Sequence, residues 1–322
     1  MKPAFTIEDL GNVRRLHTVG PQTHEAAKDA PVCHECHLDL PFSAKFIQQL
    51  IDWDANGLFH FIGERLFDDS FNEAPRNMIE RYRPDLSGQS VLDFGSGLGQ
   101  LTPFFFERGA ARVSLAEIDP QLLELSRTYL GDLGLADRCE FSLVSEDDAL
   151  EMYESDGFDL IVTAEVFEHI LPRHRVRKLQ LLYSRLKPGG TLVITTPNRL
   201  FPLDTHTTGL WFAAWLPAPI GAWYARTFSS WRWKGRSTED LLRQGLRQYS
   251  YFEARKVLKP LGARDLCRER PLSAGEWRKG KSLKARSFYR AMRIAHVVVL
   301  QHIGPWEAWM PSLEMAWAKP QA

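Results

Sequence analysis

Val91-Leu92-Asp93-Phe94-Gly95-Ser96-Gly97-Leu98-Gly99-Gln100 is a short apolar run that passes directly into three alternating glycines and then a helix-like segment. Glycine lacks a Cβ, so the backbone can turn sharply there and let a ligand lie against the main chain. The free amides of the next helix then point at a carboxylate or phosphate. The stretch reads as a strand, a tight loop and a helix start built around a cofactor. Surface turns imitate such a loop by chance, so the residues beyond Gln100 decide the reading.

Ala116-Glu117-Ile118-Asp119-Pro120 begins nineteen residues after Gly97 and ends the next apolar run. In a nucleotide-binding α/β sheet the ligand lies across the carboxyl ends of the strands, where one acid can accept hydrogen bonds from both ribose hydroxyls. Glu117 takes that role in our reading, and Asp119 starts the following helix. Beyond a third run, Glu146-Asp147-Asp148 offers a carboxylate to an adenine amino group, with Asp148 preferred and Asp147 its rival. Asp93, at a strand's carboxyl end, is a further cofactor contact.

Working outward, Phe46, Ile47, Leu50 and Ile51, then Leu58, Phe61, Ile62, Leu66 and Phe67, recur at helical spacing and predict a helical layer from Phe42 to Tyr82. From about residue 89 short β-rich runs alternate with helical stretches, which predicts a parallel sheet with covering helices. The expected strands are 90–94, 111–118, 139–144, 158–163 and 191–196, with 261–268 and 312–318 supplying the last two and 287–299 an intervening helix. Gly189 and Gly190 close a turn.

After Pro197 the pattern breaks. Residues 200–233 hold five of the ten tryptophans, Trp211, Trp215, Trp223, Trp231 and Trp233, with three prolines. Residues 206–225 carry no formal charge and approach the ~20 apolar residues that span a bilayer, but Pro217 and Pro219 near the middle argue against a span. The segment is read as an apolar substrate lid or an interfacial surface, with a satellite core over the sheet as the alternative. Arg278, Lys279, Lys281, Lys284, Arg286, Arg290 and Arg293 make a later stretch basic, which is read as a solvated face.

Hydrophobic residues are 44% and charged residues 25% of the 322, which excludes a largely disordered chain and fits one large core with appended segments. Forty basic and forty acidic residues cancel, so no global field attracts nucleic acid and no nucleic-acid partner is expected. The early acids Glu8 and Asp9 and the lack of an apolar core in the first residues predict a cytoplasmic protein, with peripheral contact at the inner face of a membrane left open. Cys33, Cys36, Cys139 and Cys267 are too few for a disulfide framework. Cys33-His34-Glu35-Cys36-His37 has CxxCH spacing. Without export signals it is read as free thiols or as half of a zinc site completed by His37, His17 or His24.

Glu165-Val166-Phe167-Glu168-His169 follows the fourth strand, and if a helix begins there Glu165, Glu168 and His169 share one face. Two carboxylates and an imidazole can hold a divalent cation. Mg²⁺ prefers oxygen ligands, whereas histidine admits Mn²⁺ or Zn²⁺. In the reading without metal, Glu165 touches cofactor while Glu168 and His169 cap and pack the helix.

VLDFGSGLGQ, SLAEIDP, FDLIVTAEVFEHI and LKPGGTLVITTPN, in that order, resemble the glycine loop, ribose turn, fourth strand with its helix, and fifth-strand turn of the class I S-adenosylmethionine-dependent methyltransferases. The likeness covers about residues 85–200. It implies a Rossmann-like, seven-stranded, mostly parallel sheet with helices on both faces, a helical N-terminal cover and a Trp-rich insertion after the fifth strand. It also implies that Asp93, Gly95, Gly97 and Glu117 hold the methionine and ribose portions of the cofactor. A nicotinamide-binding protein would share the first two motifs and not the last two. The EVFEHI run is similar to that of ubiquinone-pathway O-methyltransferases and of small-RNA terminal 2′-O-methyltransferases. In the latter, ExxEH and a further histidine bind metal, and His206 is the candidate for that histidine.

The expected organisation is residues 1–84 as N-terminal cover, 85–200 as cofactor-binding core, 201–260 as aromatic lid and 261–322 as the strands that complete the sheet. The expected function is methyl transfer from S-adenosylmethionine to a small-molecule, lipid or glycan hydroxyl. The displacement is in line, and His169 or His206 takes the hydroxyl proton or a metal acidifies it. The alternatives are terminal 2′-O-methylation of RNA, with 278–293 as its contact, and a non-catalytic cofactor-binding protein that docks through its Trp-rich and basic segments.

Overall fold

The computed structural model describes residues 4–22, 33–54, 70–145, 152–229, 233–270, 300 and 303–321. The chain forms two compact units, residues 1–76 with 86–149 and residues 77–85 with 150–322.

The first unit opens with strands β1 (Ala4–Asp9), β2 (Arg14–Gln22) and β3 (Cys33–Leu40), an antiparallel sheet in that order. This sheet replaces the helical cover expected over the start of the chain. Arg15 and Asp39 lie opposite each other on β2 and β3 and form a two-pronged ion pair at 2.8 and 2.9 Å. Within the stretch 42–82 expected to be helical, α1 (Ala44–Asp54) carries the first periodic set and α2 (Ser70–Tyr82) is a second helix, while the other periodic set, Leu58 to Phe67, lies outside the described residues. On α1, Phe46, Ile47 and Leu50 are fully buried, and the Phe46 ring lies 5.7 Å from that of Tyr129.

The Gly-loop strand is β4 (Ser90–Phe94), followed by helix α3 (Thr102–Glu107), β5 (Arg112–Glu117), α4 (Pro120–Asp132) and β6 (Cys139–Leu143). β4 pairs parallel to β5 and β5 to β6. Val91 and Leu92 are completely buried, each contributing about 1.5–3 kcal/mol of transfer free energy. Asp119 caps α4 as expected, its carboxylate accepting from the amides of Gln121 and Leu122.

The second unit holds β7 (Phe158–Ala164), α5 (Pro172–Arg185) and β8 (Leu186–Pro197), with β7 and β8 parallel. Helices α6 (Ala218–Phe228), α7 (Thr238–Arg243) and α8 (Tyr251–Leu258) follow. Then come the two-residue strand β9 (Arg264–Asp265), the short helix α9 (Leu266–Glu269) and β10 (Ser312–Ala318). β10 runs antiparallel to both β8 and β9. The strands form a seven-stranded, mostly parallel sheet in the order β6-β5-β4-β7-β8-β10-β9, the Rossmann-like arrangement expected. The uncharged stretch 206–225 is broken into a turn, a single 3₁₀ turn and most of α6. Among the described residues no helix is long and apolar enough to cross a membrane.

Candidate active site

In the first unit the loop after β4 is drawn back against β5, the amides of Gly95 and Ser96 both donating to the Ala116 carbonyl. Gly99 has φ +79°, and a Cβ there would stand 2.8 Å from Leu115 Cδ2 and 3.2 Å from Leu130 Cδ1, so only glycine fits. Glu117, at the tip of β5 and nearly buried, closes the cradle. One carboxylate oxygen accepts from the Gly97 amide at 2.8 Å, the other from the amides of Ile118 at 2.8 Å and Asp119 at 3.1 Å. The acid read as the ribose acceptor thus also fixes the shape of the loop. Asp93 is buried beside it, and burial, reinforced by the Glu117 charge, pushes its carboxyl up to about 7. The Ser96 hydroxyl is buried without a partner. Two buried acids and an unsatisfied hydroxyl around a glycine loop fit a cationic ligand that carries hydroxyls. Asp148 lies outside the described residues.

A second cluster lies in the other unit, after β7 and β8. Residues 165–169 are a turn and not the helix expected. Leu171 is held extended (φ −57°, ψ 137°) ahead of Pro172, so α5 begins only there. Glu165 has left-handed backbone, φ 55°, and its amide donates to the Thr195 carbonyl at 2.8 Å. The turn still brings Glu168, His169 and His206 together. One ligand atom from each lies within 4.8 Å of the other two, and Glu165 is outside this group.

Glu168 is fully buried; its Oε2 accepts from the Thr196 hydroxyl at 2.8 Å while Oε1 has no hydrogen-bond partner. Burial pushes its carboxyl up to about 7, against the pull of its own backbone amide, the Thr196 hydroxyl, the Arg175 charge and a hydrogen bond with the Glu165 side chain. His169 Nδ1 lies 2.7 Å from the Arg243 carbonyl. A carbonyl only accepts, so Nδ1 carries a proton; Nε2, 3.5 Å from Glu168 Oε1, is the nitrogen that holds the lone pair whenever the ring is neutral. The His206 ring stands 5.6 Å from that of His169. Two acceptors facing each other at this distance call for a proton or a cation between them.

The framework that holds these groups leaves little trace in the sequence. Arg175, 3% exposed, donates to the carbonyls of Ile170 at 2.8 Å, Glu168 at 3.2 Å and Gln248. The Gln248 amide donates to Asp204 Oδ1 at 2.7 Å. Buried Asp204 also accepts from the backbone amides of His206, Thr207 and Thr208 and from the Thr208 hydroxyl. One hydrogen-bonded chain therefore runs from the Glu168 turn to the His206 turn. Asp204-Thr205-His206-Thr207-Thr208 has the composition of an aspartate-centred turn, the local signal by which part of it could have been found.

The side chains of Cys33 and Cys36 lie outside the described residues, as does the basic stretch 278–293. Of the tryptophans in the insertion, Trp233 is buried in a small local core, Trp211, Trp215 and Trp223 are exposed, and Trp231 is outside the described residues.

Residues 64–259 match the methyltransferase domain family. The chain belongs to that family. This methyltransferase is 33% identical over 114 residues to the mouse mitochondrial ubiquinone biosynthesis O-methyltransferase, a match covering 35% of this chain and 30% of the relative. It is 27% identical over 146 residues to the ubiquinone/menaquinone biosynthesis C-methyltransferase UbiE of Psychromonas ingrahamii, covering 43% and 57%. It is 34% identical over 130 residues to the methyltransferase GfsG of Streptomyces halstedii, covering 39% and 45%. The matches thus span about a third to just over half of the length of these relatives. Among solved structures, a Haemonchus contortus phosphoethanolamine N-methyltransferase 2 in complex with S-adenosyl-L-methionine aligns with a TM-score of 0.48 at 16% identity, over 98% of this chain and 71% of that one.

Proposed function

We propose that this methyltransferase moves the methyl group of S-adenosylmethionine to a hydroxyl oxygen of a small-molecule, lipid or glycan acceptor. The observation that carries the reading is the 2.7 Å contact of His169 Nδ1 with the Arg243 carbonyl. With Nδ1 committed to the Arg243 carbonyl, Nε2 is a positioned base beside a buried carboxyl.

When bound, S-adenosylmethionine supplies a sulfonium methyl group open to in-line displacement. Glu117 and the Gly95–Gly99 loop hold the nucleoside end in this reading, and Asp93 faces the positive charge. Glu165, set at the end of β7, is the further cofactor contact. A hydroxyl is a poor nucleophile until it loses its proton. His169 Nε2 accepts that proton, with Glu168 stabilising the imidazolium formed and His206 as the second base within reach. The partnerless Glu168 oxygen and the two imidazoles also fit a divalent cation. Glu168, His169 and His206 would hold it, and a cation there would lower the pKa of a bound hydroxyl.

The test is transfer of an isotope-labelled methyl group from S-adenosylmethionine to a panel of phenols, polyprenyl phenols, hydroxylated lipids and glycosides, with the product atom assigned by NMR. Label on oxygen is expected. Label confined to carbon or nitrogen, or bound cofactor that never turns over on any acceptor, would overturn the proposal.

A further inference from the structure

The insertion between β8 and α7 buries its alanines together with Trp233 and exposes the other three of its described tryptophans. Ala213, Ala222, Ala225, Trp233, Leu241 and Leu246 form a local core. Trp211, Phe212, Trp215, Ile220, Trp223 and Phe228 are each 47% to 58% exposed. Fourteen large hydrophobic side chains are exposed among the described residues, and these six fall within one short stretch, so the concentration is local. The rings are grouped. Phe212 lies 4.9 Å from Trp215 and 6.1 Å from Trp211, and Trp223 lies 6.0 Å from Phe228. On α6, Ile220, Trp223 and Thr227 follow at spacings of three and four, on the face opposite buried Gly221, Ala222 and Ala225.

Charge gives the second observation. From Thr205 to Thr238 there is no aspartate or glutamate, while Arg226, Arg232, Lys234 and Arg236 are basic. Lys234 and Arg236 are exposed. The next acids along the chain are engaged locally, Glu239 by Arg173 and Arg243, and Asp240 in the cap of α7 with Ser237. Exposed tryptophan and phenylalanine beside arginine and lysine, with no acid among them, is the composition that settles at the headgroup level of a bilayer. There the rings reach the acyl boundary and the cations meet lipid phosphates. A protein groove would match the rings but would leave the one-signed charge without a general counterpart. At 11 residues α6 is too short to cross a bilayer, so the segment would lie on it.

We propose that residues 211–228, with the basic residues that follow them, dock this protein in the plane of an anionic lipid bilayer without crossing it. Docking of this kind is independent of which acceptor is methylated.

The test uses the full chain with vesicles of phosphatidylcholine alone and of phosphatidylcholine mixed with phosphatidylglycerol. Co-sedimentation with the mixed vesicles is expected, weakened by salt, together with a blue shift of tryptophan emission and quenching by brominated acyl chains. The triple variant Trp211→Ser, Trp215→Ser, Trp223→Ser should lose at least tenfold in partitioning while its circular dichroism and melting temperature are retained, since all three side chains are exposed. A second variant, Lys234→Glu with Arg236→Glu, keeps the rings and should lose the preference for the anionic vesicles. Absence of partitioning, or partitioning that neither variant changes, overturns the proposal. Self-association in sedimentation velocity that the triple variant abolishes, without vesicle binding, would assign the patch to a second copy of the chain and also overturn it.

Discussion

The carbonyl oxygen of Arg243 stands 2.7 Å from Nδ1 of His169, a contact that requires a proton on Nδ1 and leaves Nε2 as the basic nitrogen of the neutral ring. Arg243 is the last residue of α7 and lies far along the chain from the turn that carries His169. Which nitrogen of the neutral ring keeps its proton is therefore set by a backbone atom and does not depend on the identity of the residue that supplies it.

If the Glu168, His169 and His206 group holds a cation, full-length protein should bind Mn²⁺ or Zn²⁺ in equilibrium dialysis. His169→Ala should weaken that binding about 10- to 100-fold, and EDTA should slow turnover without displacing S-adenosylmethionine. Full turnover in EDTA, with no metal retained, would leave His169 as a base alone.

Gly245 has φ +93°, and a Cβ on it would lie 3.0 Å from His206 Cδ2 and 3.1 Å from Thr207 Oγ1. Gly245→Ala is expected to cost about 1–2 kcal/mol of stability from left-handed strain and, by displacing the His206 ring, to lower kcat by about tenfold. Calorimetry should show cofactor affinity unaltered. A variant with normal kcat would remove His206 from the chemistry.

Glu117→Ala removes the acceptor for the amides of Gly97, Ile118 and Asp119. S-adenosylmethionine binding should weaken by about 1–3 kcal/mol in titration calorimetry, and the melting temperature should fall as well because the loop loses its anchor. Unchanged affinity would show that the ribose is held elsewhere.

Asp93 supplies a pH dependence. Its carboxyl is raised from 3.8 to about 7 in the folded chain, so the fold favours the protonated form. Its contribution is complete below the unfolded value and is lost as pH rises through about 7, on the order of a few kcal/mol. Urea unfolding of the cofactor-free protein should show stability falling across that interval, and Asp93→Asn should flatten the slope. A slope untouched by the substitution would place the titrating group elsewhere.

The glycine loop and the acid that closes it were legible in the sequence because all their parts are local. An apolar run, glycines at the turn, and an acid at the tip of the next strand each act within a few residues, and the observed β4 has the predicted bounds. The Glu168 cluster was legible only as a set of residue types. Helical spacing was the wrong reason for their proximity, since Pro172 delays the helix and tertiary packing closes the turn. Arg175 and Gln248 could not be found that way. Their partners lie on other elements, and a buried arginine is indistinguishable in sequence from the exposed ones beside it. The strands before residue 41 were missed because charged residues interrupt their alternation, and the Arg15–Asp39 pair that closes β2 on β3 is visible only once the register is known.

The clasp made by Arg243, Gly245 and Gln248 has a consequence for how this enzyme can be cut or rearranged. A fragment ending shortly after His206 would retain the glycine loop, Glu117, the Glu168–His169 turn and both histidines, but not the end of the matched family region or the strand that pairs with β8. It would lack the carbonyl that selects the tautomer and the amide that tethers Asp204. Truncation between residues 210 and 242 should therefore leave a chain that keeps the glycine loop and Glu117 and has no assembled base, whereas circular permutation there keeps Arg243 and Gln248 and with them the means to rebuild it.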